Sequence, residues 1–321
     1  MMRVAASLVC SGFEGVRIGD GLAQFLDAVP LAGVVLFDRN IEGFEQLREL
    51  TADIRAHLRH SIIAIDQEGG RVMRLRDQVA PIPAMRELGA SGDAEIVRKT
   101  GARAGSDLRR AGINLDFAPV IDIERYAENS VIGDRAFGPD PEVVASLGRA
   151  FAEGLESEGI VATFKHFPGH GATRGDSHAE LPVSELDEQT LRAHDLLPFA
   201  RNLPSARAVM SAHIVVPSID TAPATLSHRW LTEILRGELG FRGVCFSDCL
   251  QMDAIARGVG TAEGAVRAIT AGADCVLISH SLQAARACVE AIEAAVSSGR
   301  LSEQRLNEAA GRVDALRAPF S

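Results

Sequence analysis

The chain has 321 residues, 46% of them hydrophobic, and its 33 Lys and Arg against 43 Asp and Glu give a formal charge of −10. Such a composition builds a sizeable core and excludes wholesale disorder, while the 30 Gly and 13 Pro show no collagen-like or low-complexity period. The acidic balance is unsuited to non-specific nucleic-acid binding, and no apolar run approaches the length of a transmembrane helix.

The first ten residues briefly resemble a signal peptide, but the apolar run is short and Gly12, Glu14 and Arg17 follow at once. Residues 4–10 read instead as a buried strand, and a cytoplasmic protein is expected. The five cysteines, Cys10, Cys245, Cys249, Cys275 and Cys288, are odd in number and widely spaced. Free buried thiols fit that pattern better than a disulfide framework, and Cys245-x3-Cys249 lacks the second pair a zinc site would need.

Seven further short apolar runs follow the first, at 33–37, 61–65, 113–121, 160–164, 207–216, 243–247 and 273–279. Continuous apolar strands suit a parallel sheet covered on both faces. Between them lie helical patterns. Phe44, Leu47, Leu50, Ile54 and Leu58 advance by three or four residues, and Val144, Leu147, Phe151 and Leu155 do so behind an Asp140-Pro141 start. Further helices are predicted at 281–298 and 302–317. This alternation predicts an α/β protein, a (β/α)8 TIM-type barrel, with residues 1–321 forming a single domain ended by a closing helix. An open doubly wound sheet is the alternative.

Polar clusters follow the predicted strands, where barrel active sites lie. Asp38-Arg39-Asn40, Asp66-Gln67-Glu68-Gly69-Gly70-Arg71, Asp122, Lys165-His166 and Asp248 occupy such places, and His213 falls inside strand six. The densest stretch, 164–182, holds His166, His170 and His178. Zinc binding through His166 and His170 is one reading, although Pro168 and Gly169 exclude the helix on which His-x3-His normally works. Asp176-Ser177-His178 offers another. In extended backbone residues i and i+2 share a side, so Asp176 could orient His178 and favour its protonated form for proton transfer. Asp248 suits a nucleophile, a cation stabiliser or a metal ligand, and equally a helix cap. Arg74, Arg135 and Lys165 could hold hydroxyls or carboxylates, or Arg74 and Arg135 could simply lock loops. No GxGxxG or Walker-type loop argues for nucleotide chemistry.

KHFPGHG followed by DSH and LP, with AIDQEGGRVMRL and FSDCLQM, resembles the glycoside hydrolase family 3 β-N-acetylhexosaminidases, over residues 33 to 317. The likeness is to compact single-barrel bacterial members that act in the cytoplasm on peptidoglycan turnover products. They remove N-acetylglucosamine from 1,6-anhydro-N-acetylmuramic acid, with or without stem peptide. The resemblance implies Asp248 as nucleophile, His178 as proton donor and acceptor, and Asp176 as the residue that orients and tunes His178. Asp66, Arg74, Arg135, Lys165 and His166 would bind the sugar. No metal or cofactor is implied; the partner is a small glycan, with no nucleic acid or membrane. Cys249 departs from many relatives, which carry a second acidic residue there. Residues 168–180 are expected to close over bound sugar. A related β-glucosidase or glycoside phosphorylase, a metal-dependent barrel enzyme and a non-catalytic sugar-binding barrel are the competing readings. The scarcity of aromatics, with Tyr126 and Trp230 the lone Tyr and Trp, favours a short polar pocket and exo action.

Overall fold

The computed structural model describes residues 2–126, 129–173 and 181–320. Eight parallel strands close a barrel: β1 (Val9–Ser11), β2 (Gly33–Leu36), β3 (Ile62–Ile65), β4 (Leu115–Asp116), β5 (Val161–Phe167), β6 (Ala208–Ser211), β7 (Val244–Cys249) and β8 (Cys275–Ile278). Each pairs with its chain neighbours, and β1 pairs with β8 (Val9 beside Val276) to close the ring. The predicted (β/α)8 barrel is therefore present, and the open doubly wound sheet is not. Gly33 is needed at the start of β2, since a Cβ there would come within 2.1 Å of the Ile62 carbonyl oxygen.

Apart from Asp248, the residues of the barrel strands are buried, as a sheet between a filled interior and a helical shell requires. Phe117 meets Phe246 edge-on at 5.6 Å, and the lone Trp230 packs edge-on against Phe167 at 5.8 Å. Trp230 is fully buried, so its ring braces β5 from behind and offers no platform to a sugar.

Helix boundaries follow local chemistry. Asp140 accepts hydrogen bonds from the N–H groups of Glu142 and Val143, and Pro141 supplies the first helical residue of Pro141–Ser157. Ser281 and Ser302 cap Leu282–Ser297 and Glu303–Arg317 in the same manner. The pattern beginning at Phe44 forms the helix Phe44–His57.

Several strand expectations need correction. The run 4–10 is divided between a helix, Met2–Ala6, that takes its first three residues and the strand Val9–Ser11 that takes its last two. The helix packs on Leu282–Ser297 and Glu303–Arg317, so burial against helices satisfies the apolar run without sheet pairing. The run 113–121 narrows to Leu115–Asp116, because Pro119 has no N–H for a ladder; Val120 keeps only a bridge to Lys165. The run 207–216 ends as strand at Ser211, which leaves His213 beyond it. Strands five and seven extend further than expected, and Lys165, His166 and Asp248 lie within them. An antiparallel hairpin, Gln67–Gly69 with Val72–Met73, was not foreseen; Gly69 (φ +117°) and Gly70 (φ +54°) permit its turn.

Candidate active site

The carboxyl ends of the strands surround a cavity of about 640 Å³. Asp66, Glu68, Arg74, Arg135, Lys165, His166 and Asp248 line it, so six of the eight sequence-predicted site residues converge with one they omitted, Glu68. Asp176 and His178 lie outside the described residues, as does most of the 168–180 segment expected to close.

A buried charge cluster makes one wall. Lys165, 2% exposed, extends from β5 and its Nζ donates to Asp66 Oδ1 at 2.8 Å and to Glu68 Oε1 at 2.6 Å. Arg135 donates through Nε and Nη2 to both Glu68 oxygens at 2.7 Å, a bidentate pair. Burial alone would raise the Glu68 pKa, but Arg135 and Lys165 outweigh it and hold the carboxyl well below its ordinary range. Burial likewise works against the Lys165 ammonium, and Asp66 and Glu68 overcome it to raise that pKa. Both stay charged at neutral pH. Arg74 completes this wall, 3.6 Å from Asp66 Oδ2 and 3.4 Å from Asp38 Oδ2.

A second network positions His166. Its Nδ1 lies 2.6 Å from Asp122 Oδ2, and its Nε2 lies 3.4 Å from Arg135 Nη2. Asp122 also accepts from the backbone N–H groups of His166 and, at 2.6 Å, His170. This carboxylate therefore anchors both ends of the turn after β5. His170 is pushed down to about 4 by burial and by His166, so it is a neutral ring. Its Nδ1 meets Thr173 Oγ1 at 2.9 Å. Among the described residues, no three His, Cys, Asp or Glu side chains are grouped to hold a metal ion.

Asp248 stands opposite. It is partly exposed to the cavity, and its Oδ1 accepts the Cys249 N–H at 2.7 Å. Burial would favour its neutral form, yet His213, His166, the Cys249 N–H and Lys165 together lower its pKa. An ionised carboxylate thus faces the cavity with no cation in salt-bridge contact among the described residues. The helix-cap reading fails, because the next helix, Asp253–Ala256, starts behind Met252. His213 Nε2 lies 3.0 Å from the Cys249 carbonyl and braces the end of β7 from the segment just after β6.

Glu68, Asp122 and His213 were absent from the expected site. All three were visible as polar residues at or near strand ends, but their value depends on partners across the barrel. The loop-locking alternative for Arg135 is partly correct: it holds Glu68 and the Val131 carbonyl (3.0 Å) while lining the cavity.

A model of the glycosyl hydrolase family 3 N-terminal domain matches residues 6–316. The chain belongs to glycosyl hydrolase family 3. Within the family it is 42% identical over 272 residues to a β-hexosaminidase of Pseudomonas aeruginosa PAO1, covering 84% of this chain and 81% of that one. A family 3 β-N-acetylglucosaminidase from Paenibacillus superposes with a TM-score of 0.97 at 39% identity; all of this chain is covered, but it spans only 62% of that protein. NagZ from Neisseria gonorrhoeae, solved with N-trifluoroacetyl-D-glucosamine, gives a TM-score of 0.81 at 34% identity, with 97% and 98% covered. The protein is a glycoside hydrolase.

Proposed function

We propose that the protein is a retaining exo-β-N-acetylglucosaminidase that releases N-acetylglucosamine from peptidoglycan fragments, N-acetylglucosaminyl-1,6-anhydro-N-acetylmuramic acid with or without stem peptide, in the cytoplasm. The observation that carries the reading is the ionised Asp248 facing a buried wall of Lys165, Asp66, Glu68 and Arg135 across one pocket. The names of the relatives support the sugar. The aglycone and compartment rest on the resemblance of the motifs.

Charged donors and acceptors on Asp66, Arg74, Arg135, Lys165 and His166 hold the hydroxyls and acetamido group of the terminal sugar. They are paired with one another beforehand, so little reorganisation accompanies binding. The Asp248 carboxylate attacks the anomeric carbon as the bond to the leaving oxygen breaks, and His178, oriented by Asp176, gives that oxygen its proton. Water then attacks the glycosyl ester, losing a proton to His178. Asp248 returns as carboxylate and the sugar leaves with its β configuration restored.

Release of the aryl group from an aryl β-N-acetylglucosaminide tests this, with the β-glucoside as comparison. Turnover of the first alone is expected, unaffected by chelator, and lost by at least about 10³-fold in Asp248→Ala. A near-normal rate in that variant removes the nucleophile assignment, and activity on the glucoside moves the substrate. Chelator inactivation would favour a metal-dependent enzyme, and faster turnover with phosphate than with water a phosphorylase.

A further inference from the structure

The opposite face of the barrel carries a second charge cluster that glycoside hydrolysis does not use. Asp274, fully buried just ahead of β8, accepts the Cys245 N–H at 3.0 Å and also receives Arg236, Arg305 (2.7 Å) and Arg312 (3.1 Å). Three guanidiniums thus converge on one carboxylate. Arg236 is 9% exposed, and its Nε is buried with no hydrogen-bond partner among the described residues. Burial and the charges of Arg312 and Arg305 lower its pKa against the pull of Asp274. Like charges so close, partly out of water, repel one another and favour an added anion.

Two hollows open beside this cluster. One, of about 430 Å³, lies between the helices Arg229–Glu238 and Glu303–Arg317 and is lined by Arg236, Arg300, Arg305 and Arg312. The other, of about 470 Å³, is lined by Arg207, Arg242 and Arg312. Arg312 and Glu308 belong to both. The facing carboxylates are already engaged: Glu308 with Arg305 at 3.3 Å, and Glu263 with Arg300 at 2.7 Å. His228, on the rim of the first hollow, lies 3.4 Å from Glu233. Arg242 is exposed and makes no ion pair or hydrogen bond through its side chain among the described residues; Arg207 donates to the Leu316 carbonyl at 3.1 Å and is attracted by Glu156. A local excess of positive charge therefore sits on a chain whose net charge is −10.

We propose that this face is an anion-binding site for a compact, multiply charged phosphate compound, with Arg312 as the residue common to its two hollows. Guanidinium forks suit phosphoryl oxygens, and two adjoining hollows suit two phosphoryl groups. Concave walls favour a small soluble ligand over a membrane surface.

The test is calorimetric titration of the full-length protein with pyrophosphate, against sodium chloride at equal ionic strength, alongside thermal unfolding. Saturable binding is expected, with a rise in Tm of ~2–4 °C at excess ligand. Arg312→Gln and Arg242→Gln should each weaken binding about tenfold and leave hydrolysis of the aryl glycoside unchanged. Binding no stronger than the chloride control overturns the proposal, as does wild-type affinity in both variants, which would put pyrophosphate in the hydrolytic pocket. So does an Arg312→Gln loss of Tm that is the same with and without pyrophosphate, the signature of a purely structural lock. If Arg312→Gln fails to fold, exposed Arg242 carries the test. Binding to vesicles rich in phosphatidic acid without binding to pyrophosphate also overturns it.

Discussion

Asp116 shows how much a single buried group can be tuned by its surroundings. It is fully buried at the end of β4; its Oδ1 accepts the Gln67 N–H at 2.9 Å, and its Oδ2 has no partner among the described residues. Burial, with Asp66 and Glu68 adding repulsion, raises its pKa well above the usual carboxyl value, despite the Gln67 N–H and Lys165. A raised pKa means the folded state binds the proton more tightly, so stability falls as pH rises from about 3.9 towards the folded value. Asn has the same shape and no proton to lose. Asp116→Asn is therefore expected to match the wild type near pH 4 and to gain on it in Tm as pH rises towards 8. A difference independent of pH would contradict this. On the proposed mechanism, His178→Ala should slow substrates with poor leaving groups far more than aryl glycosides with good ones, measured as kcat/KM across a leaving-group series.

At the scale of elements, the hairpin Gln67–Gly69 with Val72–Met73 places Asp66, Glu68 and Arg74 around one wall. Its keystone is Gln67, 1% exposed, whose Oε1 accepts from Arg74 N at 2.9 Å and Leu75 N at 3.1 Å. Gln67→Leu leaves two backbone N–H groups unpaired, at about 1–3 kcal/mol each. Arg74 should then lose its placement, raising KM about tenfold with a smaller change in kcat, and lowering Tm. Unchanged KM with lowered Tm would make the residue structural only. The hairpin illustrates why the site was only partly legible. Asp66, Lys165 and Asp248 stand at ends of strands whose apolar runs announce themselves. Glu68 looks like one more loop acid until the hairpin turns it beneath Arg135 and Lys165, where two cations hold it ionised in the interior.

At the scale of the molecule, the pocket and the base of the barrel depend on the same closure. The terminal helix Glu303–Arg317 buries Leu306, Val313 and Leu316 against the base and sends Arg305 and Arg312 to Asp274. Each apolar side chain contributes roughly 1.5–3 kcal/mol, and removing the arginines strands a buried carboxylate. Together these rival the ~5–15 kcal/mol net stability of an ordinary domain. Truncation before residue 302 is expected to abolish cooperative unfolding, followed by circular dichroism, and activity with it, although the helix lies far from the pocket. A cooperative transition near the wild-type Tm would refute that.

The amino-acid order alone determined a parallel sheet buried on both faces, because apolar β-branched runs alternate with capped helical patterns; its closure into a barrel and not an open doubly wound sheet was decided by the pairing of β1 with β8. It also determined which side chains stand at the strand ends, since the eight-fold rhythm places them there. Tertiary structure decided the rest. Whether Met2–Ala6 became helix or strand depended on the helices it packs against. Whether Glu68 and Asp122 became charged anchors depended on cations and N–H donors brought from distant segments. A carboxylate's charge state is a property of its neighbours, and closure of the barrel is what selects them.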